Sequence, residues 1–139
     1  MTGPGKTVAE QWNGSGWSLV TAPGPGGAGV SRLFGVAANP GSAWAVGEYI
    51  SGTAYQSLIE HRTGGQWKPV ASPDPSVTDN FLAAVTATSA SNAWAVGATV
   101  TDPSTPVILH WDGASWTRDS LPGGTYTLYR VSASSATDA

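Results

Sequence analysis

An internal repeat constrains this chain more than any other feature. Ala43-Trp44-Ala45-Val46-Gly47 returns as Ala93-Trp94-Ala95-Val96-Gly97, 50 residues later. A second motif occurs three times, as Gln11-Trp12-Asn13-Gly14-Ser15-Gly16-Trp17, His61-Arg62-Thr63-Gly64-Gly65-Gln66-Trp67 and His110-Trp111-Asp112-Gly113-Ala114-Ser115-Trp116. Its last Trp stands at 17, 67 and 116, so the spacings are 50 and 49. A third motif reads Leu33-Phe34-Gly35-Val36, Leu82-Ala83-Ala84-Val85 and Leu128-Tyr129-Arg130-Val131, and Pro23-Gly24-Pro25 matches Pro73-Asp74-Pro75. Several motifs in one order at nearly one period mark a repeat architecture, in which a unit buries its apolar face only by stacking on its neighbours.

Alternation within the unit predicts four short strands and no substantial helix. Phe81 to Thr88 is apolar and β-branched. From Ala93 to Val100, Trp94 and Val96 share one face while Ala93, Ala95 and Gly97 share the other. From Pro106 to Trp111, Val107 and Leu109 oppose Ile108 and His110. A fourth strand starts at Trp116. Asp112-Gly113, Asn13-Gly14 and Gly64-Gly65 are tight-turn signals between third and fourth strands, and Ser89-Ala90-Ser91-Asn92 joins the first to the second. The pattern gives eleven strands, starting on a third strand near Lys6 to Trp12 and ending on Ser134-Ser135-Ala136-Thr137-Asp138-Ala139, where Ala139 matches Ala93. The expected organisation is a single repeat domain over 1–139, with approximate units 6–50, 51–100 and 101–139, cut within a unit at both ends.

Composition removes several function classes. Charged residues are 11% and apolar residues 40% of 139, so one core can be buried. Seven Trp exclude a disordered linker, which lacks large aromatics. Six Lys+Arg and a net charge of -3 cannot build a stripe that neutralises phosphates, so no nucleic-acid partner is expected. No apolar run approaches the roughly 18 residues of a transmembrane helix, and Met1 to Lys6 leads into no signal-peptide-like apolar stretch. The lack of Cys removes disulfides, thiolate metal sites and thiol catalysis. No cofactor is expected. Gly24-Pro25-Gly26-Gly27-Ala28-Gly29 reads as a loop rather than a phosphate cradle, because no Lys-Ser/Thr or helix follows it.

The succession Ala-Trp-Ala-Val-Gly, then Leu58-Ile59-Glu60-His61-Arg62 or Ile108-Leu109-His110-Trp111, then Asp112-Gly113-Ala114-Ser115-Trp116, then Pro-x-Pro resembles the Trp-rich repeats of bacterial β-propeller proteins, similar to Kelch-like and sialidase-type (BNR) blades common in secreted actinobacterial proteins. The resemblance covers roughly residues 6–139 and implies an all-β fold of four-stranded antiparallel blades, about three repeat units of a partial propeller, in an extracellular, secreted setting. The sialidase Asp-box places a residue between Asp and Gly, whereas Asp112 directly precedes Gly113. The four Arg (Arg32, Arg62, Arg118 and Arg130) form no recognisable sialidase constellation. A β-trefoil is the alternative for three repeats in a chain of this length. Rings usually need about four to eight blades, so a homo-oligomer, such as a dimer completing about six blades, or membership of a longer chain is expected.

Trp44 and Trp94 are expected between neighbouring sheets, and Trp17, Trp67 and Trp116 are expected to lock each unit to the next. The ligand-binding candidates are Trp12, Asn13, His61, Arg62, His110, Trp111 and Asp112. Trp12, Arg62 and Trp111 align one residue before the turn. A Trp beside Asn13 or Asp112 can stack on a sugar while its neighbour accepts hydroxyl hydrogen bonds, or can simply cover the sheet edge. His61 and His110 align with Gln11. Two His in different units cannot jointly hold one zinc, which needs three or four convergent ligands, so a hydrogen bond tying strand to turn is the simpler role. Glu10 and Glu60 align and are expected at the surface. Asp74, Asp79 and Asp102 read as turn formers. No catalytic residue or metal ligand is assigned. The expected function is a non-enzymatic binding or scaffold module with a glycan or protein surface as ligand. A fragment of a carbohydrate-active hydrolase and a structural self-assembling unit are the alternatives.

Overall fold

A computed structural model describes residues 7–25, 29–73, 79–121 and 123–139. Met1 to Lys6, Gly26 to Ala28, Asp74 to Thr78 and Pro122 lie outside the described residues, so the turn role expected of Asp74 falls there too. The chain is all-β, with no helix among the described residues. β1 (Val8–Trp12) and β2 (Trp17–Thr21) form a hairpin. β3 (Ser31–Asn39), β4 (Ser42–Ser51), β5 (Ala54–Thr63) and β6 (Gln66–Pro69) form a second sheet. β7 (Asn80–Ser89), β8 (Asn92–Thr99), β9 (Pro106–Trp111) and β10 (Trp116–Arg118) form a third. Each four-stranded sheet is an open antiparallel meander, in the spatial orders β3-β4-β5-β6 and β7-β8-β9-β10.

The expected alternation carries over into faces. On β8, Trp94 pairs with His110 of β9 and Val96 with Ile108, while Ala95 pairs with Leu109. Directly opposite residues share a face, so one face of the third sheet carries Trp94, Val96, Ile108 and His110. The other carries Ala95, Val107, Leu109 and Trp111. That second face meets the second sheet. Trp44, Val46 and Ile59 are fully buried there with Val107, Leu109 and Trp116 in one cluster. The second sheet in turn packs Trp67 and Ala45 against Ala9, Val20 and Ala22 of the first hairpin and its exit. The same face therefore turns the same way in successive sheets, and the core is a series of inter-sheet layers.

The Gly that ends Ala-Trp-Ala-Val-Gly has a steric reason. Gly47 lies opposite Leu33, where the register of β3 slips between Leu33 and Gly35, and Gly97 lies opposite the matching slip between Leu82 and Ala84. A Cβ on Gly47 would sit 1.9 Å from the Arg32 carbonyl oxygen, and one on Gly97 2.0 Å from that of Phe81. At the bulge the backbone of the edge strand crowds the glycine opposite it, and only Gly leaves room.

Ten strands are formed among the described residues, and the eleventh is not. Leu128 to Val131 carries no strand pairing, and Leu128 N–H reaches only Gly97 O at 3.4 Å. In the other two copies this motif pairs with an Ala-Trp-Ala-Val-Gly strand, and the sequence contains no third such pentapeptide. The turn that launches that strand is nevertheless present. Ser135 bridges Asp138, matching Asn39 with Ser42 and Ser89 with Asn92.

Candidate functional site

Two Trp–His stacks dominate the candidate residues. The His61 ring lies on Trp44 with centroids 3.7 Å apart and planes within 3°. His110 lies on Trp94 at 4.0 Å and 19°. Each pair is cross-strand, so the sheet register delivers it. Each His also holds the residue that opens the second strand. His61 Nε2 shares a 2.8 Å hydrogen bond with Ser42 Oγ. His110 Nε2 donates to Asn92 Oδ1 at 2.7 Å, an orientation fixed by Asn92 Nδ2 donating to Thr88 Oγ1. The strand-to-turn bond expected of both His is thus present. Burial pushes the His61 pKa below its ordinary 6.5 and favours the neutral ring.

Trp111 belongs to a cross-sheet contact. Its ring is 4.9 Å from Trp44 and 5.9 Å from Trp116, and its Nε1–H donates to Ala90 O at 3.3 Å. Trp116 meets Trp44 edge-on at 5.1 Å. Trp111 and Trp116 therefore clasp the Trp44–His61 stack of the preceding sheet.

Trp12 and Trp17 align with Trp111 and Trp116, pair directly across the hairpin, and hold nearly the same mutual geometry: 5.7 Å and 53° against 5.9 Å and 46°. Their surroundings differ sharply. Trp116 is 5% exposed, whereas Trp17 is 69% exposed and Trp12 51%. The lock expected of Trp17 is consequently not made, because no sheet precedes it among the described residues. Val8 and Leu19 share this face and are exposed as well. The result is an exposed sheet face of aromatic and aliphatic side chains around Glu10, the kind that marks an interaction surface in a folded protein.

The remaining candidates are occupied by structural bonds. Asn13 Oδ1 accepts from Ser15 N, Ser15 Oγ and Gly16 N, all at 2.9 Å. Asp112 Oδ1 accepts from Ala114 N and Ser115 N, which hold its carboxyl below the usual range. Gly14 and Gly113 take the left-handed conformation these turns need, at φ 99° and 100°. Arg62 donates to Gln11 Oε1 at 2.9 Å, linking the second sheet to the hairpin.

Two features escaped sequence reasoning. Glu60, expected at the surface, is fully buried. Its Oε1 accepts the Gly24 N–H at 2.7 Å, while Oε2 has no hydrogen-bond partner. Desolvation raises its pKa and the Gly24 bond opposes the rise. The sequence signal was its place in the alternation, on the face of Leu58 that looks toward the preceding sheet. The second feature is an open groove of about 920 Å³ lined by Phe34, Val36, Phe81, Val85, Tyr129 and Arg130 among others. Apart from Phe81, which immediately precedes its second copy, these residues come from the recurrent Leu-x-x-Val motif, which alternation marks only as strand. Among the described residues, no group of three or more His, Cys, Asp or Glu is placed to hold a metal ion. No family model, curated protein or solved structure matches the chain.

Proposed function

We propose that this chain is a non-enzymatic binding or scaffold module built of propeller-type blades, and that its contact surface is the Trp12–Trp17 face. The blade reading is supported by two four-stranded meanders of one order, packed face to face with the same face leading. The extracellular setting stays part of the proposal through the resemblance to secreted Trp-rich repeats.

One observation carries the function. The aromatic pair that grips a protein surface inside this molecule, Trp111 with Trp116 on Trp44, is duplicated with the same geometry on an exposed face. That duplication favours a protein surface over a glycan. The Oδ1 atoms of Asn13 and Asp112, which would read sugar hydroxyls, are already used by backbone N–H groups.

The test uses bis-ANS, a dye that reports apolar docking faces, at high dilution of the chain. Saturable binding is expected, several-fold weaker in the Trp12→Ser/Trp17→Ser variant at unchanged far-UV circular dichroism. Equal binding by the two proteins would remove the face from the account. Turnover of chromogenic glycosides by the purified chain would overturn the non-enzymatic reading.

A further inference from the structure

We infer that the partner of the Trp12–Trp17 face is the Trp94–His110 face of a second copy of this chain, joined head to tail. This rests on the docking reading above and names its occupant. The template lies inside the molecule. Between the second and third sheets, Trp44, Val46, Ile59 and His61 receive Val107, Leu109, Trp111 and Trp116. The repeat places Trp94, Val96, Ile108 and His110 at the receiving positions of the third sheet. It places Val8, Glu10, Trp12 and Trp17 at the inserting positions of the hairpin.

Both halves are preformed. The inserting pair keeps its tilt, 53° against 46° in the template. The receiving stack keeps its spacing, 4.0 Å against 3.7 Å. Pre-organised faces lose less freedom on association. Trp94, Val96, Ile108 and His110 border a recess of about 550 Å³ whose other wall is this chain's own Leu121, Val131, Thr137 and Ala139 among others, and Val96 is only 3% exposed, so a second copy enters by displacing that segment.

Two positions differ in polarity between template and proposed contact, Leu109 against Glu10 and Arg118 against Leu19, and the first is matched. Leu109 of the template is replaced by Glu10 on the hairpin. The second sheet also has Glu there, and Glu60 Oε1 accepts the N–H of Gly24, which follows β2 of the hairpin it faces. The position equivalent to Gly24 at the end of the third sheet, 99 residues on as Trp116 is from Trp17, is Gly123. Glu10 of one copy would thus meet a backbone N–H of the same kind on the next.

Inserting and receiving faces differ, so the contact is heterologous. It closes into a ring if the rotation allows and otherwise runs on as a chain of copies. The test uses two crippled full-length proteins. Trp12→Ser/Trp17→Ser loses the inserting face, and Thr137→Arg places a charge at the recess rim on an exposed residue whose replacement leaves the sheet intact. Ile108→Glu serves as a second receiving-face variant, with circular dichroism confirming its fold. By light scattering each variant alone stays at the monomer mass of 14.1 kDa. Mixed one to one, they form a species of two copies and nothing larger, because each supplies the face the other lacks. Failure of the mixture to combine, or assembly of either variant as well as the parent, overturns the pairing. If bis-ANS still distinguishes the inserting-face variant, that failure falls on the second copy as partner and leaves the docking face standing.

Discussion

Glu60 sits fully buried with one satisfied oxygen, a placement a carboxylate rarely tolerates unpaired. Its raised pKa means that the folded chain holds this proton more tightly than the unfolded one. Its contribution to stability is therefore complete below the ordinary value of 4.5 and is lost as pH rises through the window above it. The loss amounts to about 1.4 kcal/mol for each pH unit the window spans. Glu60→Gln keeps an acceptor for Gly24 N–H and carries no charge. Urea midpoints of that variant across pH should lack the fall seen in the parent. His61 works in the opposite sense. Its lowered pKa leaves the stack on Trp44 intact above the ordinary 6.5 and costs stability as pH falls below it. His61→Gln, which installs the residue found at the aligned position Gln11, should remove that acid-side slope. At this scale the strand-to-turn role of both His was legible from alignment and spacing. The burial of Glu60 was marked only by its place in the alternation, and its compensating donor, a backbone N–H beyond the end of β2, is one that no side-chain pattern records.

Strand positions and turns follow the sequence closely: β9 runs Pro106–Trp111, β10 starts at Trp116, and the Asn-Gly and Asp-Gly turns fall where alternation breaks. The bulges opposite Gly47 and Gly97 were not legible, since a Gly repeated at the same place inside two strands states that space is short without saying what fills it. Gly97→Ala tests that cause. With the Phe81 carbonyl 2.0 Å from the new Cβ, the β7–β8 ladder must shift, and a loss above about 2 kcal/mol is expected in chemical denaturation. A second contrast separates buried from docking Trp. Trp44→Ala opens the inter-sheet layer and should cost about 3–5 kcal/mol. Trp17→Ala, on an exposed side chain, should change monomer stability by no more than about 0.5 kcal/mol. Similar losses for the two would contradict the assignment of Trp17 to a docking face. The eleventh strand shows the limit of motif counting: Leu128 to Val131 carries the strand pattern, yet a strand exists only with a partner for its backbone groups.

The whole molecule is a stack of sheets with unlike ends. The repeat period told that sheets would stack. It did not tell that the phase runs from Ser31 to Pro69 and from Asn80 to Arg118, so that units drawn at 51–100 straddle two sheets. Nor did it tell that the outer faces of the hairpin and of the third sheet repeat the residues of the two halves of a packed interface, the second of them bordered by the chain's own C-terminal residues. An exposed apolar face of this kind favours association wherever a complementary surface is met. Rising salt should leave that association largely intact, because the contact is aromatic and apolar rather than ionic. The most direct measurement is the absolute mass of the unmodified chain by light scattering over a wide concentration range. A mass that climbs from 14.1 kDa toward multiples of it supports docking between copies. A mass fixed at 14.1 kDa at every concentration contradicts it.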